Sequence, residues 1–214
     1  MTLFLRLLVA LAFLPSLAAT QGQMRNDKPR QAHDDEEYEE FVPDPVYPDY
    51  SFELALGDDG LHAGFRNGFE RGEGYGALEL FLGEDDDWLA NGRLMRFGEP
   101  AAGEPLGVGI GLGLYAGASD EPDADVGALT LIGAVDYTLQ LSYPVRLALE
   151  TSYAPEAACF TDATRLLDLQ ARAELLVSDW ATGFVGYRFT EIDLDDAKDR
   201  ELEKAAHIGV RLGI

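Results

Sequence analysis

The sequence contains one cysteine, three histidines and few basic residues, and each scarcity excludes a class of protein. A single cysteine, Cys159, cannot form a disulfide within the chain, so other interactions must stabilise the fold. Lys and Arg number 16 against 39 Asp and Glu, which gives a formal net charge of -23. Because nucleic-acid affinity comes largely from basic side chains that displace counterions, this charge excludes nucleic acid as a partner.

Long apolar runs are absent except at the N-terminus, which excludes a protein that crosses a membrane with several helices. Residues 1–19 carry one basic residue, an apolar stretch and two small residues, which is typical of a cleavable secretory signal peptide. Residues 20–50 are rich in Asp, Glu and Pro, and repulsion among the carboxylates predicts a disordered acidic tail. We therefore expect one folded domain, over residues 51–214.

The folded part of the sequence alternates between apolar residues and small or charged ones. In residues 106–114, glycines occupy one face of the pattern and the other face carries Leu106, Val108, Ile110, Leu112 and Leu114. A period of two residues places side chains on opposite faces of a strand, whereas a helix would scatter them. The same period recurs, with varying regularity, in residues 51–57, 61–66, 75–82, 88–97, 126–137, 144–153, 165–175, 182–192 and 207–214.

These segments predict about ten strands, and eight is the alternative count because the first two are short and the fourth alternates poorly. Their connections are of two kinds, compact and acidic, which follow each other in strict alternation. Such segregation is expected when turns lie at one rim of a closed barrel and longer loops at the other. The sequence therefore predicts an all-β fold, a closed antiparallel up-and-down transmembrane β-barrel.

Aromatic residues near the predicted strand ends indicate the two membrane interfaces, where a ring has one wet edge and one apolar face. We expect one belt near the acidic loops, from Trp88, Tyr115 and Tyr153, and one near the compact turns, from Tyr137, Tyr143 and Trp180. A soluble sandwich that packs these rings in its core is the alternative.

The face opposite the apolar residues mixes Gly and Ala with charges of both signs. By parity it carries Glu53, His62, Arg66, Glu79, Asp136, Arg146, Glu150, Asp168, Arg172, Glu174, Arg188, His207 and Arg211. Burying one charge alone is expensive, so we expect pairing. The predicted lumen charge network comprises Arg146, Glu150, Asp168, Arg172, Glu174, Arg188, His207 and Arg211. It is either a polar pathway for small solutes or ions, or a salt-bridge network that closes the barrel.

No catalytic, cofactor or metal site is predicted. His62 and His207 are the candidate general bases of the folded part, but no Gly-x-Ser-x-Gly motif or zinc-ligand spacing accompanies them. The acidic segments 84–87 and 120–125 do not match the EF-hand pattern of calcium-binding loops. We expect these loops to contact lipopolysaccharide through divalent cations, and Cys159 to be an inert thiol.

Several segments together resemble the YfaZ family of outer-membrane proteins: residues 106–115, Tyr153-Ala154-Pro155 before an acidic loop, Gly186-Tyr187-Arg188-Phe189, and residues 207–214. The resemblance spans residues 51–214 and the signal before them. It implies a bacterial outer-membrane β-barrel without established catalytic residues. Two features depart from the family pattern, namely the acidic tail and Ile214 in the place of a terminal aromatic residue.

We therefore expect a barrel in the outer membrane of a Gram-negative-type bacterium, reached through the periplasm. Its expected partners are membrane lipid, lipopolysaccharide and the barrel-assembly machinery. A structural role or a narrow cation-preferring pore is the expected function. The alternatives are an outer-membrane enzyme that acts on lipid and a soluble periplasmic barrel that binds a ligand.

Overall fold

A computed structural model of the protein describes residues 50–69, 74–83, 87–98, 105–119, 124–139, 141, 143–194 and 200–214. The predicted signal peptide and all of the predicted acidic tail but Tyr50 lie outside the described residues. Within the described ranges, no helix is long and apolar enough to cross a membrane.

The described residues form eleven strands, and ten of them build the barrel wall. The strands are β1 Tyr50–Gly57, β2 Gly60–Phe69, β3 Gly74–Gly83, β4 Trp88–Phe97, β5 Leu106–Ser119, β6 Ala124–Leu139, β7 Val145–Ala154, β8 Cys159–Thr161, β9 Ala163–Ser178, β10 Ala181–Leu194 and β11 Arg200–Gly213. The short β8 follows a single 3-10 turn, Glu156–Ala158, and pairs with β6 outside the main succession of strands. The sequence did not predict β8.

The barrel closes because the first wall strand pairs with the last. Each wall strand is antiparallel to its neighbours along the chain, and β1 pairs with β11 from Ser51 opposite Gly213 to Gly57 opposite His207. Closure gives every wall strand two hydrogen-bonded neighbours, so the wall has no open edge. The predicted closed barrel of ten strands is confirmed, and the alternative count of eight is wrong.

The apolar face of each alternating strand lies on the outside of the barrel. On β5, Ile110 is 73% exposed, and the four apolar residues that share its face are 45% to 54% exposed. The residues between them face inward and are small, because period-two geometry separates the two sets. A soluble sandwich would bury the apolar face instead, so that alternative is wrong.

The glycines on the inner face of β5 leave room for large side chains of β4. A Cβ added at Gly109 would lie 2.8 Å from the ring of Phe97, and one added at Gly111 would overlap Met95 and the carbonyl oxygen of Leu94. Met95 is 1% exposed. The small residues of one strand and the bulky residues of its neighbour therefore fill the interior together, at close packing.

The two predicted aromatic belts are placed with one exception. Tyr153, Tyr137, Tyr143 and Trp180 are exposed on the outer surface, and Trp88 is half-buried. Tyr115 does not belong to a belt, because it shares the inner face of the β5 glycines and is 1% exposed. Its hydroxyl instead donates a hydrogen bond to Asp168 at 2.7 Å.

Candidate functional site in the barrel interior

The interior has three layers along the barrel axis. They run from the rim with the acidic loops, the acidic-loop end, to the rim with the compact turns, the short-turn end. At the acidic-loop end lies an apolar plug, made of Phe81, Leu89, Tyr115, Ala124, Val126, Ala128, Ala154, Ala163, Leu166, Ile192 and Leu194. Leu166 is fully buried and Ile192 is 1% exposed. These side chains pack against one another in one buried apolar cluster.

The plug exists because five wall strands are longer than a bilayer requires. β5, β6, β9, β10 and β11 have 14 to 16 residues, whereas about 9–11 tilted residues cross the hydrocarbon core. The additional residues of these strands extend the wall at the acidic-loop end, where they direct apolar side chains inward. The plug is absent from the sequence-based predictions, although Leu166 shares its parity with Asp168 and Ile192 with Arg188.

The second layer is a central cluster of ion pairs around Arg188, a residue that is 1% exposed. Its guanidinium donates from Nε and Nη2 to Asp168 at 3.0 and 2.7 Å, and from Nη1 to Glu79 at 2.8 Å. An oxygen of Glu203 lies 3.6 Å from Nε. Two charge-assisted bonds in parallel fix both the distance and the orientation of the pair with Asp168.

Arg93 forms the second centre of the central cluster. Its guanidinium pairs with Glu79 and with Glu150, and its Nε donates to the side-chain oxygen of Asn91 at 3.2 Å. Tyr75 donates its hydroxyl to Glu150 at 3.0 Å. Arg93 is absent from the predicted inner face because β4 also directs the apolar residues Leu89 and Met95 inward, which obscures the alternation.

His62 belongs to the central cluster, whereas His207 does not make polar contacts there. The Nε2 of His62 lies 2.9 Å from Glu203, and its Nδ1 lies 3.6 Å from Glu79. Among the described residues, neither ring nitrogen of His207 has a hydrogen-bond partner, and its ring lies 5.6 Å from that of His62.

The third layer is a short-turn cluster of ion pairs. Arg211 donates to Glu53 at 2.9 Å and to Glu174 at 2.9 Å, so it bridges β1 and β9. Arg172 lies 2.7 Å from the second oxygen of Glu53. Arg146 pairs with Asp136 and lies 3.9 Å from Glu174.

The predicted lumen charge network is thus divided between two layers. Glu150, Asp168 and Arg188 lie in the central cluster, and the short-turn cluster contains Arg146, Arg172, Glu174 and Arg211. His207 lies in the interior with no polar partner among the described residues. Glu203 precedes the predicted strand 207–214, but β11 begins at Arg200 and Glu203 faces inward, where it is 3% exposed.

Side chains deep in the interior are closely surrounded by protein atoms. Arg188, Glu174 and Thr130 are only 1% to 2% exposed. Removing one partner of a buried ion pair leaves an uncompensated charge, so the pairs hold each other in place. Within the described residues, no group of His, Cys, Asp and Glu is arranged to hold a metal ion.

Comparisons with known proteins are sparse for this chain. No family model and no curated protein matches it. Among solved structures, the KdgM porin is similar at 10% identity and a TM-score of 0.42, over 77% of this chain and 98% of that one. The outer membrane channel DcaP of Acinetobacter baumannii is similar at 9% identity and a TM-score of 0.37, over 74% of this chain and 53% of that one.

This chain therefore spans about half the length of the DcaP channel. At identities and TM-scores this low, neither channel's activity carries over to the present protein. Its function has to be argued from the surface and the interior of its own barrel.

Proposed function

We propose that the protein is an outer-membrane β-barrel with a structural role, whose lumen is closed by the apolar plug and the two ion-pair clusters. The observation that carries this proposal is the inversion of polarity, with apolar side chains outside and paired charges inside. Water favours the opposite arrangement, whereas hydrocarbon favours this one.

The outer surface supports insertion into a bilayer. Exposed apolar side chains occur on every wall strand, among them Leu54, Leu61, Leu80, Leu94, Ile110, Leu131, Leu149, Leu169, Val185 and Ile208. A soluble monomer rarely exposes a contiguous apolar surface of this extent. The aromatic residues at the strand ends, such as Trp180 and Tyr153, suit the two interfaces with headgroups.

The interior supports a closed barrel over an open porin. Both ion-pair clusters join strands that are far apart in the sequence. Arg188 on β10, for example, binds Glu79 on β3 as well as Asp168 on β9. Opening a pathway requires these pairs to separate, which exposes charges that now satisfy one another. A barrel held shut in this way is suited to a structural role in the membrane.

A narrow cation-preferring pore is the second candidate, and the central cluster favours it. That cluster contains two arginines, Arg93 and Arg188, and four carboxylates, Glu79, Glu150, Asp168 and Glu203. If the network rearranged, the excess of carboxylates would attract cations.

Reconstitution of the purified mature protein into planar bilayers tests the two candidates. We expect no conductance steps, because the plug and both clusters fill the lumen. Regular steps with a cation-selective reversal potential would replace the structural role with the pore. Turnover of phospholipid or lipid A by the same sample would instead favour the lipid-acting enzyme.

Cell fractionation tests the membrane location. We expect the protein in the outer-membrane fraction, with migration on a denaturing gel that changes on heating, as folded barrels show. Recovery as a freely soluble periplasmic protein would contradict the proposal. The YfaZ resemblance stays a prediction, because no family model matches the chain. Contacts with lipopolysaccharide and the assembly machinery also stay predictions.

A further inference from the structure

One segment at the acidic-loop end pairs with its neighbour in the wall over three residues only. β7 ends at Ala154 while β6 continues, and the gap beside β6 is filled by β8, which runs in the same direction as β7. We call residues 155–162, which contain the 3-10 turn and β8, the strap. Its pairing with β6 consists of Cys159 opposite Ala128, Phe160 opposite Gly127 and Thr161 opposite Val126.

The strap interrupts the regular pairing of the wall. Leu131 of β6 faces Tyr153. Three residues away on β6, Ala128 faces Cys159, which is six residues beyond Tyr153. The three-residue turn Glu156–Ala158 takes up the excess. Such an insertion disrupts the ladder of hydrogen bonds, because the extra residues have no partners on the facing strand.

Thr161 of the strap is in a strained backbone conformation. Its φ of 74° lies in the left-handed region, and among the described residues no other non-glycine residue has a positive φ. A branched Cβ fits this region poorly, so the closed strap costs free energy at Thr161. Bonds to β6 offset this cost: the Oγ1 of Thr161 and the backbone N–H of Asp162 both donate to the carbonyl oxygen of Asp125, at 2.7 and 3.2 Å.

The inner face of the strap covers part of the apolar plug. Ala158 and Cys159 pack against the plug, and Ala128, which Cys159 faces, is fully buried. On the outer face the ring of Phe160 lies over Gly127, where an added Cβ would be 2.4 Å from its Cδ2. Apart from Ala158 and Cys159, the residues of the strap are exposed to solvent. Segments with few buried apolar contacts and exposed hydrogen bonds open at low free energy.

We propose that the strap opens and closes while the rest of the barrel stays folded, and that its opening uncovers the apolar plug. The short ladder, the strain at Thr161 and the exposure of the strap all lower the free energy of this opening relative to global unfolding. The proposal rests on the closed lumen of the proposed function, and it identifies the strap as the element of the acidic-loop end that opens first. Both ion-pair clusters lie deeper in the barrel and keep their partners in this event.

Hydrogen exchange of the folded protein in detergent, followed by mass spectrometry, tests the proposal. The informative amides of the strap are those with a hydrogen bond, among them Ala158 to the carbonyl oxygen of Pro155 at 2.8 Å and Asp162 to that of Asp125. We expect them to exchange about tenfold or more faster than the amides of β9 and β10, because opening the strap requires less free energy than opening the wall. Equal protection of the strap and the wall would overturn the proposal, whereas the closed lumen is tested separately by conductance.

Two glycines on the outer face of β6 provide a matched pair of variants. An added Cβ at Gly127 would overlap the ring of Phe160, whereas at Gly133 the nearest atom is the Cγ2 of Thr151 at 3.8 Å. Gly127→Ala should speed exchange of the strap by about fivefold or more, because the added methyl group displaces Phe160. Gly133→Ala should leave the exchange unchanged. The same exchange of the strap in both variants would contradict the proposal.

A reversible crosslink tests whether opening uncovers the plug. Ala128→Cys places a second thiol directly opposite Cys159. Opposed residues of antiparallel strands have Cα atoms about 4.5–5.5 Å apart, within the range that a disulfide spans. The disulfide should slow exchange both in the strap and at residues 126–128 of β6, and reduction should restore it. If residues 126–128 exchanged equally with and without the disulfide, opening of the strap would not uncover the plug and the proposal would be wrong. The measurement on the unaltered protein does not depend on how this variant folds.

Discussion

Arg188 and Asp168 face each other at the centre of the barrel and share two parallel hydrogen bonds, of 3.0 and 2.7 Å. Because both side chains are buried, loss of the guanidinium leaves the carboxylate without its counter-charge. Arg188→Met should therefore lower the free energy of unfolding by about 3–5 kcal/mol. Urea-induced unfolding in lipid vesicles, followed by tryptophan fluorescence, measures the change.

The control for Arg188→Met is Lys204→Met, at an exposed ion pair near the acidic-loop start of β11. Lys204 lies 3.0 Å from Glu201, and both side chains are about half exposed. Solvent screens such a pair, so this substitution should leave the unfolding curve unchanged. Equal effects of the two substitutions would show that the central pair does not contribute through its burial.

Ile110 tests the contact of the outer surface with hydrocarbon. It lies in the middle of the exposed apolar residues of β5 and is 73% exposed. Ile110→Arg should destabilise the inserted barrel by about 2–4 kcal/mol, the cost of an arginine near the bilayer midplane. Unfolding in vesicles and the fraction recovered in the outer membrane measure the effect.

Ile110→Leu is the matched control, since it keeps an apolar side chain at the same position. It should behave like the unaltered protein in both measurements. If Ile110→Arg were equally stable and more soluble without detergent, the surface would face water and the membrane proposal would be wrong.

Gly111 tests the close packing of the interior. An added Cβ would overlap Met95 and a backbone oxygen of β4, which cannot move without shifting the strand. Gly111→Ala should cost about 1–3 kcal/mol of stability, as overpacking does in filled cores. Thermal unfolding in detergent checks this expectation.

Gly64→Ala provides the comparison at another glycine of the inner face. An added Cβ there would lie 3.5 Å from the Cβ of Glu53 and 3.7 Å from the carbonyl oxygen of Leu78, which are ordinary contacts. It should be tolerated. Two alanine variants of equal stability would indicate that the interior has unfilled space near Met95.

Cys159 provides a pH-dependent test at the acidic-loop end. Partial burial and the nearby Glu156 carboxylate raise the pKa of the Cys159 thiol above its ordinary value. Because the thiolate is the nucleophile, alkylation by a water-soluble maleimide should be slower than for free cysteine at neutral pH. Its rate should rise as the pH rises toward the raised pKa, as followed by mass spectrometry.

Glu156→Gln should lower the pKa of Cys159 and speed alkylation at neutral pH, because one cause of the shift is removed. Asp179→Asn removes the same charge in the turn between β9 and β10, at the other end of the barrel, and should have no effect. An unchanged rate in Glu156→Gln would show that its carboxylate does not act on the thiol.

Strand positions were accessible from the sequence to within a few residues, except that β11 begins at Arg200, well before the predicted segment 207–214. All ten predicted segments overlap wall strands, because the alternation of side chains is a local property of extended backbone. Extending the alternation of residues 207–214 backward would also have found Glu203, which shares its parity with His207 and is 3% exposed. Tyr115 was assigned to a belt from its place near a strand end, although its parity already placed it on the inner face.

The sequence by itself determined which side chains face outward and which face inward, because a strand turns successive residues to opposite sides wherever it lies. Only the tertiary structure decided the partners and the depth of each inward residue. His62 and Glu203 are 141 positions apart, yet their side chains lie 2.9 Å from each other. Such a contact depends on the closure of β1 onto β11 and on the register of all the strands between, which no local pattern contains.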